Sequence, residues 1–106
     1  VMHIISKKAF KNASDKNASE KYPNDEKRIL EVYKILNHGV FKSSIELKKI
    51  FKSLDNFKSK DKWWVIDIGG NNLRLIAYIN FQDNRMYVKH IIPHHEYDKL
   101  CKKYNK

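Results

Sequence analysis

An α+β fold, with helices leading and a small antiparallel sheet following, is predicted by a change of hydrophobic period along the chain and by the position of its turn residues. Up to about residue 51 the apolar residues recur at helical spacing. From residue 62 onward, three segments rich in Val, Ile, Tyr and Trp are separated by Gly-Gly-Asn-Asn and Gln-Asp-Asn. The 106 residues hold no linker or low-complexity block, and residues 1–106 are expected to fold as one domain around one modest core.

The elements follow in order. Residues 2–5 are a short apolar start, read as an edge strand. Residues 6–20 carry a helical pattern, with Ala9 and Ala13 four apart and Phe10 alongside. Inside it, KNASD is followed by KNASE, too short to be a structural repeat and read as a lengthened surface helix or loop. Pro23 breaks the chain and Asn24 can cap the next helix. That helix covers residues 25–38, with Ile29, Val32, Tyr33 and Leu36 on one stripe and Gly39 at its end. Ser43 and Glu46 have capping-box spacing for a short helix reaching about residue 51.

Strands are predicted over residues 62–68, 73–81 and 85–92, paired as a meander. In the middle strand Leu73, Leu75, Ala77, Ile79 and Phe81 face one way, toward the two preceding helices. Arg74, Ile76, Tyr78 and Asn80 face the other. In the last strand Met86, Val88, His90 and Ile92 oppose Arg85, Tyr87, Lys89 and Ile91. Pro93 ends that strand, and a short C-terminal helix covers residues 94–104.

Twenty-two Lys and Arg against twelve Asp and Glu give a formal charge of +10, which favours nucleic acid or an acidic protein as partner. No apolar run approaches the ~20 residues of a membrane helix, and no signal-peptide pattern opens the chain. One cysteine, Cys101, cannot form an intramolecular disulfide and suits a reducing compartment. A cytoplasmic protein without membrane association is therefore expected. Cys101 itself reads as a half-buried structural thiol.

Two constellations could carry chemistry. The first is the strand face bearing Arg74 and Lys89, with Lys58, Lys60 and Lys62 just before the sheet. Phosphate needs several cations, and a guanidinium can hold two of its oxygens at once. Tyr78, Tyr87, Trp63 or Trp64 could stack on unpaired bases. The second is His94-His95-Glu96-Tyr97-Asp98. On a helix opening near Pro93, His94 and Tyr97 share a face and His95 projects elsewhere. Imidazole and phenol are both suited to moving protons. Charged residues are also ordinary on the solvent side of a sheet, and Glu96 and Asp98 suit a helix start. His90, His94 and His95 form no zinc pattern, because Pro93 interrupts any helical pairing of His90 with His94. No metal or cofactor is expected.

The stretches MHIISKKAF, EKYP, LKKIFKSLDNFK, GGNNLRL and HHEYD, in this order and spacing, resemble the HigB toxins, relatives of the RelE-like messenger-RNA endonucleases. The departure is KNASDKNASEK, a lengthened first helix. The resemblance implies a RelE-like fold and the toxin of a bacterial toxin–antitoxin pair. It implies metal-independent cutting of messenger RNA on the ribosome, and silencing by a helix-turn-helix antitoxin of the HigA type. In such enzymes the ribose 2′-OH attacks the adjacent phosphate, cations stabilise the phosphorane, and a proton donor assists the departing 5′ oxygen. Carried onto this chain, Arg74, Lys58 and Lys89 become the phosphate cations, Lys60 a weaker one, and His94 and Tyr97 the acid/base pair with their roles unassigned. Lys60, Lys62, Tyr78 and Tyr87 become RNA-binding candidates. The alternative is a non-catalytic basic RNA-binding or regulatory module on the same scaffold.

Overall fold

The computed structural model describes residues 2–5, 22–57, 60–70 and 72–104. The expected helix over residues 6–20, with its near-duplication, lies outside them.

β1 (His3–Ile5) is followed by a single 3-10 turn (Pro23–Asp25) and then α1 (Glu26–His38). The helix buries Ile29, Val32 and Leu36, the stripe its spacing predicts. Its start differs from expectation. Asn24 lies within the 3-10 turn, and Asp25 stands at the cap position without a side-chain cap bond. The buried Asp25 carboxylate instead accepts a hydrogen bond from Asn72 Nδ2 at 3.4 Å, which ties α1 to a distant hairpin. Gly69 in that hairpin has φ +64°, and a Cβ there would lie 2.5 Å from Asp25 Oδ1. Both the backbone angle and the close approach demand glycine. At the other end of α1, Gly39 has extended backbone, so its role is space: a Cβ would stand 2.5 Å from the Phe41 ring.

α2 (Ser44–Ile50) opens as predicted, with Ser43 Oγ accepting from the Glu46 N–H at 3.4 Å. Glu46 reaches back one residue further than a capping box requires, to the Lys42 N–H at 3.3 Å. Then come β2 (Asp55–Asn56), β3 (Trp63–Ile68), β4 (Leu73–Asn80), β5 (Arg85–Pro93) and α3 (His94–Tyr104). β2 was not predicted, since two exposed residues carry no periodic signal.

Among the described residues the strands form one sheet in the order β1-β5-β4-β3-β2. β3, β4 and β5 make the expected antiparallel meander. β1 is an edge strand but pairs with β5 in parallel, so the sheet is mixed rather than antiparallel throughout. A parallel neighbour comes from distant chain, and local patterning does not encode its direction.

α1 and α2 cover one face. Their Ile29, Leu36 and Leu47 meet Ile66, Ile68, Leu73, Leu75, Ile79 and Met86 in the main core. Each fully buried aliphatic side chain there contributes about 1.5–3 kcal/mol. The opposite face, whose charged residues suit a solvent side, is covered instead. Phe57, Val65 and Ile76 form a second core there, with Trp63, Ile92, Tyr97, Leu100, Cys101 and Tyr104 packed against it. α3 therefore lies across the back of the sheet.

A β-bulge corrects the faces of β5. Ala77 pairs with Val88 but Ile76 pairs with His90, leaving Lys89 as the extra residue. Past that point the alternation inverts. Ile91, not His90 or Ile92, continues the main-core face of Met86 and Val88, and Ile92 joins the second core.

Candidate active site

The hairpin register sets Arg74 on β4 opposite Asp67 on β3, and Arg74 Nε lies 3.5 Å from Asp67 Oδ1. This is an ion pair whose angles are not those of a hydrogen bond, so the buried Nε has no hydrogen-bond acceptor among the described residues. Asp67 is fixed in turn, its N–H donating to Ser53 Oγ at 3.0 Å. α3 then lays Tyr97 on the same spot: the Arg74 guanidinium carbon is 4.5 Å from the Tyr97 ring centre. A guanidinium held over a ring and flanked by a carboxylate is oriented before any ligand arrives.

From Tyr97 an aromatic cluster runs along the back of the sheet. Phe57 meets Tyr97 edge-on at 6.0 Å and Tyr104 edge-on at 5.8 Å, and packs at a tilt on Trp63 at 5.7 Å. Trp63 and Tyr104 are 5.4 Å apart. Cations border this cluster. Lys60 Nζ lies 5.2 Å from the Tyr104 ring, and Lys89 Nζ lies 5.8 Å from Trp63 and 5.9 Å from Tyr87. The bulge turns the exposed Lys89 toward these rings. Tyr78 and Tyr87, cross-strand partners, pack at a tilt with ring centres 5.8 Å apart.

The structure thus brings Arg74, Tyr97, Lys60, Lys89, Tyr78 and Tyr87 onto one surface. His94 is exposed at the first position of α3, one turn before Tyr97. Lys62 is exposed at φ +63° in the loop before β3. Lys58 lies outside the described residues. Sequence reading missed Asp67, Phe57 and Tyr104. Two signals were present: Asp67 faces Arg74 once the hairpin is paired, and Tyr104 falls seven residues after Tyr97 on the same helix face.

Burial pushes the Tyr97 hydroxyl up to about 12, with Cys101 adding to the rise and Arg74 opposing it. Desolvation outweighs the opposing pull of the neighbouring guanidinium. Tyr97 therefore keeps its proton at neutral pH and can donate it. His90, half-buried between Lys103 and Lys89, is lowered, chiefly by burial. Tyr22 donates to Glu96 Oε2 at 3.5 Å and is raised to about 12, again mainly by burial. Among the described residues no three His, Cys, Asp or Glu side chains gather where they could hold a metal ion. No helix among them is long and apolar enough to cross a membrane.

Residues 25–100 match the family model described as HigB_toxin, RelE-like toxic component of a toxin–antitoxin system. The chain belongs to the HigB toxin family. It is similar to the mRNA interferase HigB of Escherichia coli O6:H1, with 48% identity over 97% of this chain and 95% of that one. It is 39% identical to the mRNA interferase toxin HigB of Escherichia coli K12, over 92% of this chain and 88% of the relative. The mRNA interferase HigB of Shigella flexneri matches equally well. The matched span of the HigB model contains α1, the hairpins, Arg74, Lys89, His94 and Tyr97. As a HigB toxin the protein has an antitoxin as its counterpart.

Proposed function

We propose that this toxin is a messenger-RNA endonuclease that works on translating ribosomes in the cytoplasm and is held inactive by a helix-turn-helix antitoxin of the HigA type. The observation that carries the chemistry is the meeting of Arg74 and Tyr97, a fixed cation against a phenol that retains its proton. The names of the relatives, mRNA interferases, supply the substrate class.

The ribose 2′-OH attacks the adjacent phosphorus and its 2′-O–P bond forms. The 2′ proton passes to a base, for which the exposed His94 is the candidate. Negative charge gathers on the phosphorane oxygens, where Arg74, Lys89 and Lys58 stabilise it. The P–O5′ bond breaks, and Tyr97 gives its proton to the departing 5′ oxygen. The products are a 2′,3′-cyclic phosphate and a 5′-hydroxyl. Lys60, Lys62, Tyr78 and Tyr87 hold flanking RNA, charge against phosphate and ring against base.

Expression without the antitoxin should arrest bacterial growth and leave transcripts cut inside translated regions. Cleavage on purified programmed ribosomes should survive chelation that leaves the ribosomes intact, and the new ends should be cyclic or 3′-phosphates. Ends with 3′-hydroxyls would show another nucleophile. Robust growth with folded protein present, and RNA binding without cutting, would leave the non-catalytic module as the better account.

A further inference from the structure

A cleft of about 660 Å³ opens at the end of the sheet where β3 begins and β4 finishes. Asn56, Lys60, Lys62, Trp64, Phe81 and Gln82 are among its lining residues. Arg74 pairs with Asp67, four positions along β3 from Trp63, so the near end of the cleft, at Trp63, stands about 13 Å along the strand from Arg74. Trp63 lines the cleft and also touches Phe57 and Tyr104 of the aromatic cluster, while Trp64 and Phe81 pack on the main-core face, so the cleft wraps round the end of the sheet and joins the two faces.

The lining has a consistent chemistry. Trp64 and Phe81 meet edge-on at 6.0 Å against the main core, and both are half-buried, so part of each aromatic side chain is exposed. Asn56 and Gln82 are exposed, and their side-chain amides have no partner among the described residues. The neighbouring Asn80 amide is already committed to Asp83, at 3.2 and 3.1 Å. Among the described lining residues, the ammoniums of Lys60 and Lys62 are exposed and outnumber the carboxylate of Asp61. Aromatic walls, open amides and rim cations together are what an unpaired base with its phosphate requires. The volume is in the range of small-ligand sites.

We propose that this cleft receives an unpaired base of the RNA, from a nucleotide flanking the one whose phosphate is cut. The base stacks against Trp64, Asn56 and Gln82 read its edge, and Lys60 and Lys62 hold its phosphate. The proposal rests on the reading of the protein as an RNA endonuclease and adds a specificity site to it.

The test uses a labelled, unstructured 2′-O-methyl pentaribonucleotide, which cannot be cut through its 2′ oxygen. Its Kd is measured for the wild-type chain, Trp64→Leu, Lys62→Ala and an Asn56→Ala/Gln82→Ala double variant, with folding checked by circular dichroism. Single-turnover cleavage of one messenger on programmed ribosomes is mapped in parallel. Trp64→Leu should raise Kd roughly 5- to 100-fold, the effect of losing one base–aromatic stack. Lys62→Ala should lower the salt slope of binding by about one. The double variant, at exposed positions, should change which sites are cut; it carries the test if Trp64→Leu fails to fold. If the wild type cuts and the double variant binds and cuts with an unchanged pattern, the base site is overturned while the endonuclease stands. If the wild type binds the pentamer through Trp64 yet cuts nothing, the endonuclease reading falls and the base site survives.

Discussion

Arg74 is clamped by Tyr97 and Asp67, with its guanidinium carbon 4.5 Å from the ring centre and its Nε 3.5 Å from Asp67 Oδ1. The pair with Asp67 is partly exposed, at 22% and 26%, so it is worth at most about 1 kcal/mol of stability. Its value lies in orientation. Arg74→Ala should lower single-turnover cleavage roughly 10²- to 10³-fold. Arg74→Lys should recover little, because an ammonium cannot reproduce a planar fork held on a ring. Asp67→Asn should slow cleavage less, with the melting temperature almost unchanged. Added to Arg74→Ala it should cost nothing further, since it acts through Arg74. Additive losses would show that Asp67 works independently.

Tyr97→Phe and His94→Ala should each reduce cleavage by roughly 10²–10⁴, the range for one acid or base group. Binding to programmed ribosomes should change far less. Parallel binding and single-turnover measurements decide this. Wild-type rates in both variants would place the acid/base machinery elsewhere.

Alkali should destabilise the protein through Tyr97 and Tyr22. Both are raised from 10.0 to about 12 in the folded state. Between these values the unfolded chain releases the phenolic protons and the folded chain keeps them. The stabilisation is therefore complete below pH 10 and is lost as pH rises toward 12. Urea midpoints measured from pH 8 to 11.5 should fall less steeply for Tyr22→Phe and Tyr97→Phe than for the wild type. His90 acts at the acid end. Its lowered value means that the unfolded chain takes up a proton first, so stability falls as pH drops below 6.5.

Phe57→Ala should cost about 3–5 kcal/mol, the usual penalty for deleting a buried ring. Phe57 is 1% exposed and touches Trp63, Tyr97 and Tyr104. Its loss should also loosen α3 and thereby slow cleavage. Ile45→Ala, at a side chain 71% exposed, is the control and should stay within about 0.5 kcal/mol. Urea denaturation compares the two, and equal midpoints would contradict the second core.

What the sequence determined by itself was local. The stripe of Ile29, Val32 and Leu36, the Ser43 cap, the meander and the main-core face of β4 all follow from periodicity and turn chemistry within short windows. Arg74, Tyr97 and Lys89 were legible as candidates because their residue types and strand or helix positions are local properties. Tertiary structure decided what they meet. The bulge at Lys89 inverts the end of β5, because one unpaired residue shifts every later side chain to the other face. β1 joins in parallel across most of the chain's length, and Asp25 abandons its helix cap for Asn72. Above all, α3 folds over the face that carries Arg74, since Tyr97, Leu100 and Tyr104 pack there against Phe57, Val65 and Ile76. That burial raises Tyr97, sets it over Arg74, and turns a basic strand face into a shaped site. Desolvation and contact belong to pairs of residues distant in sequence, so no local pattern carries them.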